Sequence, residues 1–199
     1  MKIQNRVSDS AGGASVDKSS PKSRHESTPA QTSDPAADAL AQYRVIVGQA
    51  ASYDYGANDP DAAYRYALVR MRADYDVPAL LLKQKGLSSG INIALVFQYD
   101  PDSEQVTRAD GTLMEGIASA GGFRGSLFAA GDGNGILFTK LYSGTGMGSV
   151  SRITLNGNTL QNDMILEGNI MTDTNQAVKA IGKLKIDWHN IADLSDLTV

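Results

Sequence analysis

Turn signals divide residues 110–158 into short segments, and this spacing limits the fold more than any other feature of the sequence. The signals are Asp110-Gly111, Asp132-Gly133-Asn134-Gly135 and Asn156-Gly157-Asn158. Asn-Gly and Asp-Gly supply the positive φ angles that tight hairpins require. Strand-length segments lie around these turns, at 112–118, 123–129, 135–141, 149–155 and 163–171. Strands joined by short turns predict an antiparallel β-sandwich or a small β-barrel.

Two further segments alternate between apolar and polar residues with the period of a strand. The apolar positions are Ile91, Ile93, Leu95 and Phe97 in the first segment and Val178, Ala180, Leu184, Ile186 and Trp188 in the second. Successive side chains of a strand point to opposite faces of its sheet. The second segment therefore predicts a half-buried strand over 178–188, with Ile186 facing inward and Lys185 facing outward.

Two helix-start signatures precede the predicted strands. Ser33-Asp34-Pro35 and Asp59-Pro60-Asp61 each place a capping side chain before a proline at the first helical position. The apolar residues that follow at helical spacing are Leu40, Tyr43, Val47 and Ala50, then Tyr64, Leu68, Met71 and Tyr75. Pro78 ends the second segment. The pattern predicts an αα-hairpin over 34–76 that packs on a β-rich region over 77–190, which is an α+β fold.

The first 33 residues differ in composition from the rest of the chain. They contain eight serines, with Met1, Ile3, Val7 and Val16 as their larger apolar residues. Such a segment buries too little surface to offset the backbone entropy lost on folding, about 1–2 kcal/mol per residue. We therefore predict a disordered, Ser-rich arm over 1–33 and a single globular domain over 34–199.

Composition and charge exclude several kinds of site. The chain has no cysteine and two histidines, which rules out a disulfide scaffold, a thiolate nucleophile and a multi-His metal site within one chain. Residues 1–33 carry five Lys/Arg and three Asp/Glu, a net of +2, so the other 13 basic and 19 acidic residues leave −6 for the domain. A domain this acidic is not expected to bind nucleic acid.

One motif has the form of a hydrolase nucleophile. Gly86-Leu87-Ser88-Ser89-Gly90 matches G-x-S-x-G, in which the serine lies on a strained turn between a strand and a helix. His189 would be the general base. The alternation that begins at Ile91 predicts a strand after the motif, however, and a Gly/Ser turn between two strands explains the same residues. Ser88 and His189 are therefore the residues of an alternative, catalytic hypothesis.

Two glycine-rich loops suggest ligand sites. Gly144-Thr145-Gly146-Met147-Gly148 resembles a phosphate loop, although neither a helix nor a lysine follows it as that role requires. Gly144, Thr145, Gly146 and Gly148 are its candidate ligand-binding residues, through their backbone N–H groups. The loop from Asp132 to Ile136 resembles the centre of a calcium loop, but residues without carboxylates, Ala130 and Leu141, occupy the strongest ligand positions. A hairpin turn explains that loop better, and no metal site is predicted.

These features favour a non-enzymatic binding or structural module, with another protein as the predicted partner and no cofactor. The Ser-rich arm suits a bacterial protein exported through a type III-like apparatus, as an effector or a secretion accessory, with the arm as signal or tether. It suits equally an envelope lipoprotein domain that lacks its signal. A closed barrel would hold one small apolar molecule.

No stretch approaches about 18 consecutive apolar residues, so no transmembrane segment is predicted. A secreted or envelope location is favoured over the cytoplasm.

Overall fold

The first helix begins where its capping signature predicts. The computed structural model describes residues 34–56, 59–86, 88–142, 144–169 and 174–198. Asp34 Oδ1 accepts a hydrogen bond from the Ala36 amide at 3.0 Å, and helix α1 then runs over Pro35–Gly48. Its buried residues Ala39, Tyr43 and Val47 recur every four residues and so form one stripe. A 3₁₀ turn, Ala50–Ser52, follows the helix.

Eleven strands of the described part of the chain form one sheet. They are β1 (Ala63–Val69), β2 (Ala79–Lys85), β3 (Ile91–Asp100), β4 (Gln105–Arg108), β5 (Leu113–Ile117), β6 (Arg124–Ala130), β7 (Ile136–Leu141), β8 (Met147–Asn156), β9 (Thr159–Asn169), β10 (Lys183–Leu184) and β11 (His189–Asn190). Helix α2 (Thr174–Ile181) lies between β9 and β10, and a 3₁₀ turn, Ser195–Leu197, lies near the end of the described chain. The predicted antiparallel, strand-rich domain is confirmed, and its turns fall at the predicted Asn-Gly and Asp-Gly positions.

The sheet is open, with β11 at one edge and β9 at the other. Its strand order is β11-β1-β2-β3-β5-β6-β7-β8-β9, while β4 pairs with β3 and β10 pairs with β6. Every ladder between these strands is antiparallel. Among the described residues, no helix is long and apolar enough to cross a membrane.

Two apolar clusters lie on opposite faces of β1–β3. The first, the helix-side cluster, contains Tyr43, Val47, Tyr66, Leu80, Leu82, Leu95 and Phe97 among its members. The second, the inner core, contains Leu81, Val96, Leu113, Leu127, Ile136, Ile153 and Ile186 among its members. Leu80 and Leu82 thus face α1, while Leu81 between them faces the inner core. This double burial explains why β2 is a continuous apolar run at its start rather than an alternating one.

The predicted αα-hairpin is wrong, because its second segment contains strand β1. This strand pairs with β2 over seven positions, from Ala63 opposite Lys85 to Val69 opposite Ala79. The spacing between Tyr64 and Leu68 is compatible with one face of a helix and also with one face of a strand. Pairing with β2 selects the strand, and tyrosine and valine are favoured there. The helical part of 34–76 is therefore α1 and the 3₁₀ turn that follows it.

The strand predicted over 178–188 is half right. Val178 and Ala180 lie in α2, which ends at Gly182, whose φ of +81° suits glycine and whose amide donates to Val178 O at 3.0 Å. Beyond that glycine the chain is extended, with Ile186 3% exposed in the inner core and Lys185 exposed. The arm predicted over 1–33 lies outside the described residues.

Candidate ligand cleft

The part of the sheet from β5 to β9 exposes several large apolar side chains. Five of them, Met114, Ile117, Leu141, Met147 and Met164, are between 39% and 61% exposed. Single exposed apolar residues are common on protein surfaces, whereas a concentration of them marks a contact surface. A contact site is therefore expected in this half of the sheet.

A cleft of about 320 Å³ opens between these strands. Its floor consists of Leu113, Leu127 and Ile153, which are buried members of the inner core. Exposed residues of the lining, Thr112, Met114 and Asn162, form its rim. The cleft is thus an opening onto the core rather than a groove between polar loops.

Two phenylalanines line the cleft as an aromatic wall. The rings of Phe123 and Phe138 stack with centroids 6.3 Å apart and an interplanar angle of 20°. Gly125 on β6 makes this arrangement sterically accessible. A Cβ atom at Gly125 would lie 2.6 Å from Phe123 Cζ and 2.7 Å from Phe138 Cε2, which is closer than real side chains approach. The absence of a side chain at Gly125 therefore gives both rings their position.

Among the described residues, a single cationic side chain belongs to the lining. Lys140 on β7 is half-buried and lies on the same face of the strand as Phe138, two residues before it. Its partners across the ladders are Gly125 and Ser149, neither of which is charged. Its Nζ atom lies 5.7 Å from the centroid of the Tyr142 ring. Within the described ranges Lys140 forms no ion pair, and no carboxylate lines the cleft.

The residues of the hydrolase hypothesis are not brought together. Ser88 is exposed in the turn between β2 and β3, so a strand and not a helix follows it. His189 lies beside Tyr66 of β1, whose partner on β2 is Leu82. Lys85 ends β2 three residues beyond Leu82, about 10 Å along the strand, and Ser88 lies beyond Lys85.

His189 has other partners. Its Nε2 atom lies 2.8 Å from Asp196 Oδ2 and 3.5 Å from Asp187 Oδ2, and its ring contacts Tyr66 with centroids 5.5 Å apart. These contacts connect the C-terminal segment to β1. A structural role explains them without a nucleophile, while catalysis by Ser88 and His189 stays a prediction.

The glycine-rich loop connects β7 to β8 as a hairpin turn. Thr145 Oγ1 donates to Tyr142 O at 3.0 Å and accepts from the Met147 amide at 3.1 Å. The Thr145 amide also points inward, to Tyr142 O at 3.4 Å, and Gly148 is already part of β8. A strand follows the loop, so the helix N-terminus that a phosphate cradle uses is not at this position. Ligand binding by Gly144, Thr145, Gly146 and Gly148 stays a prediction.

Asp132 in the other loop is engaged by an arginine. Arg152 donates to both carboxylate oxygens, with Nη1–Oδ1 at 2.9 Å and Nη2–Oδ2 at 2.7 Å. These hydrogen bonds lower the pKa of Asp132. The described residues contain no group of three His, Cys, Asp or Glu side chains placed to hold a metal ion.

Lys83 and Glu115 form a buried ion pair elsewhere on the sheet. Lys83 Nζ lies 2.6 Å from Glu115 Oε1 and 3.5 Å from the centroid of the Trp188 ring. Burial lowers the pKa of Lys83, and the hydrogen bond to Glu115 opposes that effect. Because each charge is neutralised by the other and the indole covers the cation, this cluster attaches the C-terminal segment to the sheet.

Sequence reasoning missed the cleft, although one signal for its cation was present. Ile136, Phe138 and Lys140 occupy alternate positions of a predicted strand, which places a charge on the face of two apolar residues. Such a placement indicates a functional or paired cation. Comparison with protein-family models, with curated proteins and with solved structures finds no match.

Proposed function

We propose that the chain is a non-enzymatic binding module that holds a small apolar molecule in the cleft between β5 and β9. The observation that carries the proposal is the cleft's construction, in which an aromatic wall stands over buried members of the inner core that line its floor. Ligand sites are typically concave and mostly apolar, with few polar groups. The cleft's volume, about 320 Å³, lies at the lower end of the usual range of about 300–1,000 Å³.

The proposal includes how the sheet bends. The inner core joins residues of β1–β3 to residues of β6–β8, as two packed layers would. Backbone hydrogen bonds support this arrangement, because Gly135 N donates to Arg70 O at 3.0 Å and Leu155 N to Met71 O at 3.4 Å. We therefore assign a β-sandwich rather than a closed barrel, with the cleft at its open side.

The experiment is a titration with octan-1-ol, followed by amide chemical shifts. We expect saturable shifts at the cleft residues, since each CH₂ group buried contributes about 0.8 kcal/mol. Phe123→Ala should weaken binding about tenfold by removing half of the aromatic wall, a loss of about 1.4 kcal/mol. Shifts absent from the cleft at saturating octan-1-ol would contradict the proposal.

Phe128→Ala is the matched control. Phe128 lies on β6 beside Leu127, so it faces away from the inner core, and its ring lies 4.0 Å from Lys183 Nζ. Its truncation should leave the affinity for octan-1-ol unchanged. Equal losses in Phe123→Ala and Phe128→Ala would indicate general destabilisation rather than a lost wall.

The open edge of β9 favours a second candidate, which is contact with an extended segment of another protein. β9 has eleven residues, its ladder pairs it with β8, and Thr159 at its start bridges Asp110. Over residues 160–168 its other edge faces no strand of the described chain, so an added strand can pair there. It carries Asp163 and Glu167 and no basic residue, which suits a basic segment. An alternating Lys/Val peptide should bind, and Asp163→Lys should weaken that binding. A peptide with Glu in place of Lys that bound equally well would contradict this candidate.

The cellular context stays a prediction. Export through a type III-like apparatus and an envelope location both depend on residues 1–33, which lie outside the described residues. Neither follows from the cleft or from β9.

A further inference from the structure

We propose that the ligand of the cleft is an amphipathic anion, with a carboxylate that pairs with Lys140 and an apolar chain that lies along Phe138 and Phe123. This inference rests on the proposed function and narrows its ligand from any small apolar molecule to one chemical class. The juxtaposition that carries it is a half-buried lysine in the lining of an apolar cleft, with no ion pair to any residue that the structure describes.

The electrostatic surroundings of Lys140 leave it available. Four other basic residues of the described chain each pair with a carboxylate: Arg70 with Asp76, Arg72 with Asp74, Lys83 with Glu115 and Arg152 with Asp132. Glu167 is the acid nearest to Lys140 in the sheet register, two strands away beyond Ser149. Its Oε1 atom accepts a hydrogen bond from Tyr142 Oη at 2.8 Å. An anion in the cleft would thus meet Lys140 without displacing an internal partner.

The distance between Lys140 and Phe138 along β7 suits a ligand with one carboxylate and one short apolar chain. Lys140 and Phe138 are two residues apart on one face of β7, a separation of about 7 Å along the strand. A carboxylate at Lys140 therefore places the first few methylene groups of its chain against the Phe138 ring. Met114 at the rim has an unbranched, flexible side chain that adapts to the remainder of the chain.

Because residues outside 1–33 have a negative net charge, a preference for anionic ligands would indicate a local cation in the site. Residues outside 1–33 have a net charge of −6, with 13 basic and 19 acidic side chains. The long-range field of such a domain attracts cations and repels anions. A ligand anion that binds better than the corresponding cation must therefore be selected by a local group, and Lys140 is the cation that lines the cleft.

The test compares three eight-carbon probes by calorimetry: octanoate, octan-1-ol and octylammonium. Octanoate should bind about tenfold more tightly than octan-1-ol, which corresponds to about 1.4 kcal/mol, and octylammonium should bind most weakly. Lys140→Gln should abolish the preference for octanoate over octan-1-ol. Lys179→Gln, an exposed lysine on α2, is the control and should change neither affinity.

The possible failures are distinguishable. Octan-1-ol that binds as tightly as octanoate would overturn the anion inference and leave the proposed function standing. An octanoate preference that survives Lys140→Gln would also overturn the inference, because another cation would then provide it. If no probe binds, both the inference and the proposed function are wrong.

Discussion

The two halves of the sheet differ in how their apolar faces are covered. In β1–β3, α1 covers one face and the inner core the other, so that Leu80, Leu81 and Leu82 are each 0% exposed. In β5–β9 the cleft opens onto the same core, and Met114 at the rim of the cleft is 46% exposed. The apolar surface therefore has a different role in each half. The covered half stabilises the fold, and the open half is the surface on which we propose that a ligand binds.

The two halves also differ in whether their tyrosine hydroxyl groups are buried or exposed. Tyr43 Oη, in the helix-side cluster, donates to Pro78 O at 2.9 Å and accepts from the Tyr99 amide at 3.1 Å. Burial raises the pKa of Tyr43 strongly, so its hydroxyl stays protonated and both hydrogen bonds persist at any physiological pH. In the open half, Tyr142 Oη makes an exposed hydrogen bond to Glu167. Hydrogen bonds in the covered half thus stabilise the interior, whereas this one lies in solvent.

Truncation of a leucine in each half should give the largest contrast. Leu82→Ala in the covered half should cost about 2–5 kcal/mol, because it leaves a cavity in a closely packed core. Leu141→Ala at the end of β7, where the side chain is 44% exposed, should cost less than about 0.5 kcal/mol. Urea midpoints with unchanged slopes measure both. Similar costs at the two positions would contradict the division of the sheet into two halves.

Removal of a tyrosine hydroxyl should have an intermediate effect. Tyr43→Phe leaves the buried Tyr99 amide and Pro78 carbonyl without their partner, so we expect a loss of about 1–3 kcal/mol. Tyr142→Phe removes an exposed hydrogen bond and should change the stability by less than about 0.5 kcal/mol. Thermal unfolding of the two variants in parallel tests the difference. A Tyr43→Phe protein as stable as the parent would show that water replaces the hydroxyl.

The smallest expected effect concerns a buried glutamine. Gln84 is 2% exposed, and its Oε1 atom has no hydrogen-bond partner among the described residues. Gln84→Leu should therefore leave stability unchanged or raise it by up to about 1 kcal/mol. Gln98 is the matched control, since its Nε2 atom donates to Val77 O at 3.3 Å and Tyr99 O at 3.4 Å. Gln98→Leu should cost about 1 kcal/mol. A larger loss in Gln84→Leu than in Gln98→Leu would mean that Oε1 is satisfied in solution.

Local signals predicted the elements that local chemistry determines. The Asp34 cap predicted the start of α1, and the Asn-Gly and Asp-Gly signals predicted the turn between β6 and β7 and the turn between β8 and β9. Where two structures share a pattern, the prediction was wrong. Tyr64 and Leu68 fit a helix or a strand, and the choice depends on pairing with β2, which lies ten or more residues away. The spacing of Val178 and Ala180 is compatible with a helix and with a strand. The structure has a helix there, and the positive φ angle of Gly182 follows its last residue.

The cleft could not be predicted because it depends on register. Gly125 lies opposite Lys140, and Leu127 lies opposite Phe138. These pairings bring Phe123 onto Phe138 and place Lys140 on the face of β7 that carries Phe138. Neither the register nor the close approach of two rings over Gly125 appears in local sequence, since each depends on which residues the hairpin between β6 and β7 aligns.

Intermolecular nuclear Overhauser effects between octanoate and the protein test the central claim most directly. The chain protons of bound octanoate should show effects to the ring protons of both Phe123 and Phe138 and to the Met114 methyl group. In Gly125→Ala, which forces the two rings apart, these effects should weaken or vanish. Effects confined to other parts of the surface, or none at saturating octanoate, would contradict a ligand site in the cleft.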